Sequence, residues 1–267
     1  MTLATPRDSE LPDVQNAPDS RAISIDQVGV SDVRHPATIL DRDGTSQPVP
    51  AVFRMTVALP SDVKGTHMSR FLEVLGTHHH ELGPGRMAGF MKELRSTLNA
   101  EQARVEMSFP WYVRKAAPIS GGVGLLEYGV TIEVEIGPDD RVEEFLQVTA
   151  PATSLCPCSK EISEYGAHNQ RCELSARVQC SEPVGIAELG ARLESSASCE
   201  VYPVLKRPDE KFVTEAAFEN PKFVEDIIRD LALEMDGDDR ILSYRITSEN
   251  FESIHGHNAW AEIRRSK

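Results

Sequence analysis

The chain has 267 residues, 40% hydrophobic and 26% charged, with 28 Lys and Arg against 42 Asp and Glu, a formal net charge of −14. That length holds one large or two modest domains with real cores, and the charge argues against general binding to nucleic acid or anionic membrane, which needs a positive surface. No apolar run approaches the roughly 18 residues of a membrane span, no signal-peptide core is visible, and five cysteines read as ligand, catalytic or buried thiols in a reducing compartment, so a cytoplasmic protein is expected.

Residues 1–21 contain three prolines among many Asp, Ser and Asn, a composition that predicts a disordered tail. Residues 22–50 carry short apolar pieces (Ile23, Ile25, Val28, Val30, Val33) between turn residues and predict an extended arm lying on something else. Residues 51–59 read as a strand. Lys64 to Phe71 reads as a turn into a helix capped by Ser69 or Thr66, and Met87, Phe90, Met91, Leu94 and Leu98 recur at helical spacing. Residues 103–113 and 125–136 read as strands. In the latter, Leu126, Tyr128, Val130, Ile132, Val134 and Ile136 alternate with polar neighbours, the pattern of an antiparallel sheet with one buried face. Residues 144–149 and 173–179 follow as strands, 186–195 as a helix, and 222–235 as a stronger helix with Asn220 as cap and Pro221 in its first position. Residues 241–247 and 258–264 close the chain as strands. Each half therefore reads as strands, helices and a hairpin. This predicts a duplicated α+β unit, with the arm and first unit over 22–150 and the second over 151–267.

Chemistry is densest in Ser154 to Arg171. Cys156-Pro157-Cys158 has one intervening residue, unlike the two of common zinc knuckles and redox motifs. Two readings stand side by side: an open metal site using Cys156, His168 and a carboxylate from elsewhere, or buried thiols beside a helix-capping histidine. In Tyr202 to Lys211, Asp209 or Glu210 could complete a metal site and Lys206 and Arg207 could touch an anion, although charge runs usually face water. His255 and His257 flank Gly256 and, on extended backbone, point the same way as an acid–base pair or phosphate contacts. Lys64, His67 and Arg70 surround a helix start where an oxyanion could sit. His78-His79-His80 reads as a solvated loop, and Trp111 and Trp260 as core or interface aromatics. Glu225 lies near the apolar face of its helix. A buried acid there would need two parallel donors, such as the N1–H and exocyclic amine of guanine or a pterin; a rim carboxylate is the other reading.

Taken in order, Lys64-Gly-Thr-His-Met-Ser-Arg-Phe71, Ser154-Leu-Cys-Pro-Cys-Ser-Lys-Glu-Ile-Ser163, Tyr165-Gly-Ala-His-Asn-Gln-Arg171, Leu205-Lys-Arg-Pro-Asp-Glu-Lys211, Asn220-Pro-Lys-Phe-Val-Glu-Asp226 and Ser253-Ile-His-Gly-His257 resemble the GTP cyclohydrolase I type B family. The resemblance covers almost everything after Ala22. It implies a tunnelling fold of two ββααββ-like units, with antiparallel sheets and helices on one face, in a homotetramer with active sites between subunits. It implies conversion of GTP and water to 7,8-dihydroneopterin triphosphate and formate, with one divalent transition metal per site, zinc or manganese or else iron. Carried onto this chain, Cys156, His168 and Glu210 hold the metal and Glu225 anchors guanine. His255 and His257 carry protons or contact phosphate, Cys158, Glu161 and Lys160 stand in either shell, and Lys64, His67, Arg70, Lys206 and Arg207 meet the triphosphate. Cys172 is not a position the family is expected to require as cysteine. Competing readings are an archaeal-type cyclohydrolase with a cyclic phosphate product, a non-catalytic purine or pterin binder, and a thiol redox protein using Cys156 and Cys158.

Overall fold

The computed structural model describes residues 13–15 and 17–267; residues 1–12 and 16, on which most of the expected tail falls, lie outside the described residues. The described end of that tail is docked rather than loose. Pro18 bridges Val63, and the Asp19 and Lys64 amides donate to the Asp62 and Ala17 carbonyls at 3.1 Å each.

Period-two alternation of apolar residues builds a sheet, and helices with one apolar face cover it. The elements run β1 (Ile25–Leu40), β2 (Ser46–Leu59), α1 (Met68–His78), α2 (Ala88–Thr97), β3 (Ala103–Ala116), β4 (Val123–Ile136), β5 (Val142–Leu155), α3 (Pro157–Ile162), β6 (Asn169–Cys180), α4 (Ile186–Ser195), β7 (Cys199–Glu200), α5 (Arg207–Glu219), α6 (Val224–Asp236), β8 (Ile241–Asn250) and β9 (Ala259–Ser266). Eight strands form one antiparallel sheet in the order β1-β2-β3-β4-β5-β6-β8-β9, and β7 pairs with β5. This is an α+β fold.

One core lies between the sheet and its helices. Phe53, Met55, Met107 and Trp111 meet Phe71, Leu75, Phe90 and Leu94 at one end; Val148, Leu174 and Ile246 meet Leu189, Ile227 and Leu231 at the other. Each such side chain contributes about 1.5–3 kcal/mol on burial. The opposite face carries ion pairs between strands, including Arg54–Glu106 at 3.7 Å between neighbours β2 and β3 and Arg177–Glu133 at 3.2 Å from β6 to β4 across β5.

Several expectations change. Residues 22–50 are not an arm: they form the edge strand β1 and enter β2, with Ala37 and Ile39 buried. Irregular register near Val28 and Val33 hides β1's alternation. Residue 150 falls inside β5, so a division there would cut a continuous strand. The helix start at Asn220 and Pro221 is displaced, because the Lys222 amide is taken by the Leu155 carbonyl and the Asn220 side chain by the Ala197 and Ser198 carbonyls. Helix α6 is capped instead at Phe223, whose N–H donates to Asp226 at 3.0 Å. The Tyr202 to Lys211 loop contains the start of α5, and α1 begins after His67 rather than at a Ser69 or Thr66 cap. His78 ends α1 with Nε2 2.7 Å from Glu93, and His79 closes it through Nδ1, 2.9 Å from the Gly76 carbonyl. Trp111 is core, whereas Trp260 is exposed on β9.

Buried carboxylates join the early and late elements. Asp41, at the end of β1, accepts from the Ile186 and Ala187 amides at 2.8 and 3.0 Å, satisfying the first turn of α4. Glu194 accepts from Tyr128 at 2.8 Å and Lys115 at 2.5 Å; burial raises its carboxyl above the usual range, and Lys115 and Tyr128 partly offset that. Gly190 makes the approach possible, since a Cβ there would lie 2.2 Å from the Tyr128 ring. Asp209 accepts from the Ile119 amide, the Ser120 amide and hydroxyl, and the Lys206 amide. Burial opposes its charge, yet these donors hold its carboxyl well below the usual range.

Replacing Asp41 by Ala leaves the buried Ile186 amide and the half-buried Ala187 amide without their acceptor. We expect a loss of about 1–3 kcal/mol, read as a lower urea midpoint with an unchanged m-value.

Candidate active site

The site grows from the end of β5. Ser154 is buried; its hydroxyl donates to the Lys222 carbonyl at 3.1 Å and accepts from the Asn250 amide group at 2.9 Å. Leu155 donates to Ser198 Oγ at 3.1 Å and accepts from the Lys222 amide at 3.0 Å. Beyond it the Cys156 amide donates to the His168 carbonyl at 3.1 Å. Pro157, at the first helical position, starts the single turn of α3. Ser159 locks that turn: its amide donates to Cys156 Sγ at 3.4 Å, and its hydroxyl donates to the Cys156 carbonyl and accepts from the His168 amide.

These bonds gather four segments around a cavity of about 500 Å³, lined by Cys156, Cys158, His168 and Gln170, by Lys222 to Glu225, and by Asn250, Glu252, His255 and His257. The volume is within the roughly 300–1,000 Å³ of small-molecule sites. The His255 and His257 rings stack with centroids 5.3 Å apart, and His168 meets His255 edge-on at 6.5 Å. His168 Nδ1 lies 2.8 Å from Gln170 Oε1 and 3.8 Å from Glu252 Oε2. Three imidazoles, two thiols and two carboxylates thus share one concave space.

The structure brings together Cys156, Cys158, His168, Glu225, His255 and His257, and leaves the other expected residues outside this cavity. Glu161 is exposed on α3. Lys160 on the same turn donates to the Phe218 carbonyl at 2.5 Å and covers that ring, tying α3 to α5. Glu210 is exposed on the far end of α5, about 15 Å of helix before Asn220, and among the described residues no three His, Cys, Asp or Glu side chains form a group able to hold a metal ion. Lys206 and Arg207 are exposed at the start of α5. Lys64 and His67 lie under the described N-terminal segment, His67 Nε2 being 3.3 Å from Asp13, and Arg70 reaches the Thr97 carbonyl at 3.4 Å. Glu225 lines the cavity but is exposed, a rim carboxylate rather than a buried one. Sequence reasoning did not single out Gln170, Asn250 or Glu252; Gln170 stands inside a motif already noted and Glu252 directly before one, but only the fold turns them inward.

The type I GTP cyclohydrolase folE2 family model matches residues 11–261. The chain belongs to that family. It is 49% identical over 260 residues to GTP cyclohydrolase FolE2 of Nitrosomonas eutropha, covering 97% of each chain. It is 47% identical over 265 residues to GTP cyclohydrolase FolE2 of an Azoarcus species, covering 99% of this chain and 98% of the other. Among solved structures it is similar to a uricase from Bacillus fastidious, with a TM-score of 0.53 at 10% identity over 90% of this chain and 93% of that one. That likeness speaks for the tunnelling fold alone.

The donor types lining this FolE2-family cavity, a soft thiol and imidazoles with Glu252 3.8 Å from His168, are those a transition ion takes. The remaining cysteines, Cys172, Cys180 and Cys199, do not line the cavity; burial pushes the Cys172 thiol up to about 12, the Cys180 thiol up to about 11 and the Cys199 thiol above its usual range.

Replacing Ser154 by Ala strips Asn250 of its acceptor. We expect about 1–3 kcal/mol less stability in urea melts and faster amide exchange across residues 251–257 than in the rest of the sheet.

Proposed function

We propose that the protein is a GTP cyclohydrolase converting GTP and water to 7,8-dihydroneopterin triphosphate and formate, the first step of tetrahydrofolate synthesis. The observation that carries this reading is the meeting of Cys156 and His168 with Glu225, His255 and His257 in one cavity. Cys156 and His168 hold a divalent transition metal, zinc or manganese or else iron. When bound, that ion supplies a water of lowered pKa for attack on C8 of the purine. Glu225, in the first turn of α6 where the helix dipole favours negative charge, accepts the N1–H and exocyclic amine of guanine. His255 and His257 hold and deliver protons as the imidazole ring of GTP opens and formate leaves.

Glu210 is the third ligand in this reading, supplied by a second copy of the chain, since this chain's own Glu210 stands outside the cavity. Lys64, His67, Arg70, Lys206 and Arg207 reach the triphosphate in the same way, and Cys158 and Glu161 support the metal turn. A homotetramer with sites between subunits fits the open edges of β1 and β9 and the exposed Val123, Leu125 and Phe212. Within each subunit we read two ββααββ units, divided at the turn between β4 and β5. One observation favours a second ligand, Glu252, whose carboxylate is already in the cavity.

Metal-reconstituted protein should release formate from GTP and yield a fluorescent oxidised neopterin. Cys156→Ala should lose both metal and turnover while folded, and Glu225→Gln should raise KM about 10- to 100-fold. Metal analysis of Glu210→Ala and Glu252→Ala identifies the third ligand, and full activity in Cys156→Ala would sink the reading.

A further inference from the structure

Gln170 is 7% exposed, second in β6 and paired in register with Ser154. The hub at the end of β5 therefore fixes its backbone as firmly as that of Cys156. Its Oε1 lies 2.8 Å from His168 Nδ1. The Glu252 carboxylate approaches the same nitrogen at 3.8 Å. An amide oxygen and an ionised carboxylate only accept hydrogen bonds, so both favour a proton on Nδ1, which leaves the lone pair on Nε2.

We propose that Gln170 is a positioning residue: it holds His168 in the Nδ1–H tautomer, with Nε2 free for the metal. The proposal rests on the metal reading above and adds a role for a residue that touches neither substrate nor metal. Metal-bound histidines commonly donate their second ring N–H to such a partner, which fixes the ring and strengthens the ligand. Here the partner is a neutral amide, so the ring is oriented without a second full charge in bonding distance. Among the described residues, Gln170 is the side chain at hydrogen-bond distance from the His168 ring, with the Glu252 carboxylate farther off at 3.8 Å.

The test compares wild type with Gln170→Leu, which removes the acceptor at similar volume, and Gln170→Glu, which keeps one. In metal-free protein labelled with 15N-histidine, the His168 signals, assigned with His168→Gln, should report the Nδ1–H tautomer in wild type and in Gln170→Glu, and a mixture in Gln170→Leu. Cobalt(II) affinity, measured by competition with a chromophoric chelator, should fall about 10- to 100-fold in Gln170→Leu and stay near wild type in Gln170→Glu. Wild-type cobalt affinity in Gln170→Leu, an equal loss in Gln170→Glu, or an Nε2–H tautomer in wild type would each overturn the role. Wild-type protein that takes up no cobalt overturns the metal reading and this role with it. Metal uptake without GTP turnover instead removes the proposed reaction and leaves Gln170 in place.

Discussion

The last two residues of β5 are where the architecture and the site become one problem. Ser154 and Leu155 stay paired with β6 but lie where β5 runs past the end of its pairing with β4, and the sheet alone would leave the buried Ser154 hydroxyl and the Leu155 backbone groups unpaired. Instead Lys222, Ser198 and Asn250 supply them. A buried donor or acceptor left unpaired costs about 1–3 kcal/mol, so these bonds stand or fall together and fix three segments distant in sequence to one strand end. Cys156 leaves that junction, His168 is bonded to it through the backbone, Glu225 is the second residue of α6, three residues after Lys222, and the loop of His255 and His257 follows Asn250. Placement of the reactive groups is a by-product of satisfying a strand terminus.

Other parts of the chain use buried carboxylates for the same purpose. Asp41 fastens the β1–β2 hairpin to α4, Glu194 draws α4 onto Lys115 and Tyr128, and Asp209 pins the start of α5 to the turn after β3. Each acid meets either helix-start amides or a cation, so its burial is offset locally. A chain with an excess of acidic residues can therefore spend some of them inside the fold, where they link elements from both ends of the sequence.

What could be read from the sequence follows from how local each signal is. Strand β4 alternates without interruption, and α4 has an apolar face and a glycine before it, so both were legible almost residue for residue. Helix α5 was missed because its first turn, Arg207 to Glu210, looks like a solvated charge run; the reason it folds, Asp209 accepting from Ser120, lies 89 residues away. The start of α6 was misplaced because Asn220 and Lys222 answer to distant carbonyls rather than to their own helix. In the site, the residue types of Ser154 to Arg171 announced chemistry, whereas which carboxylate joins His168 is tertiary information that no spacing carries.

Charge supplies the last constraint. The cavity of one chain holds thiols, imidazoles and the carboxylates of Glu225 and Glu252, and among the described residues the single Lys or Arg side chain lining it is Lys222. That ammonium is already committed, at 2.9 Å to the Ser196 carbonyl and 2.8 Å to Asp230. A nucleoside triphosphate placed there would meet two carboxylates, and among the described residues no uncommitted Lys or Arg lines the cavity to balance its phosphates, a Coulombic cost in a partly desolvated site. The required cations exist on this chain, in Lys64, Arg70, Lys206 and Arg207, but on surfaces outside the cavity. In the reading proposed above, one subunit supplies Cys156, His168 and the guanine-binding Glu225 while a second supplies Glu210 and the phosphate-binding cations, so that substrate binding would require assembly.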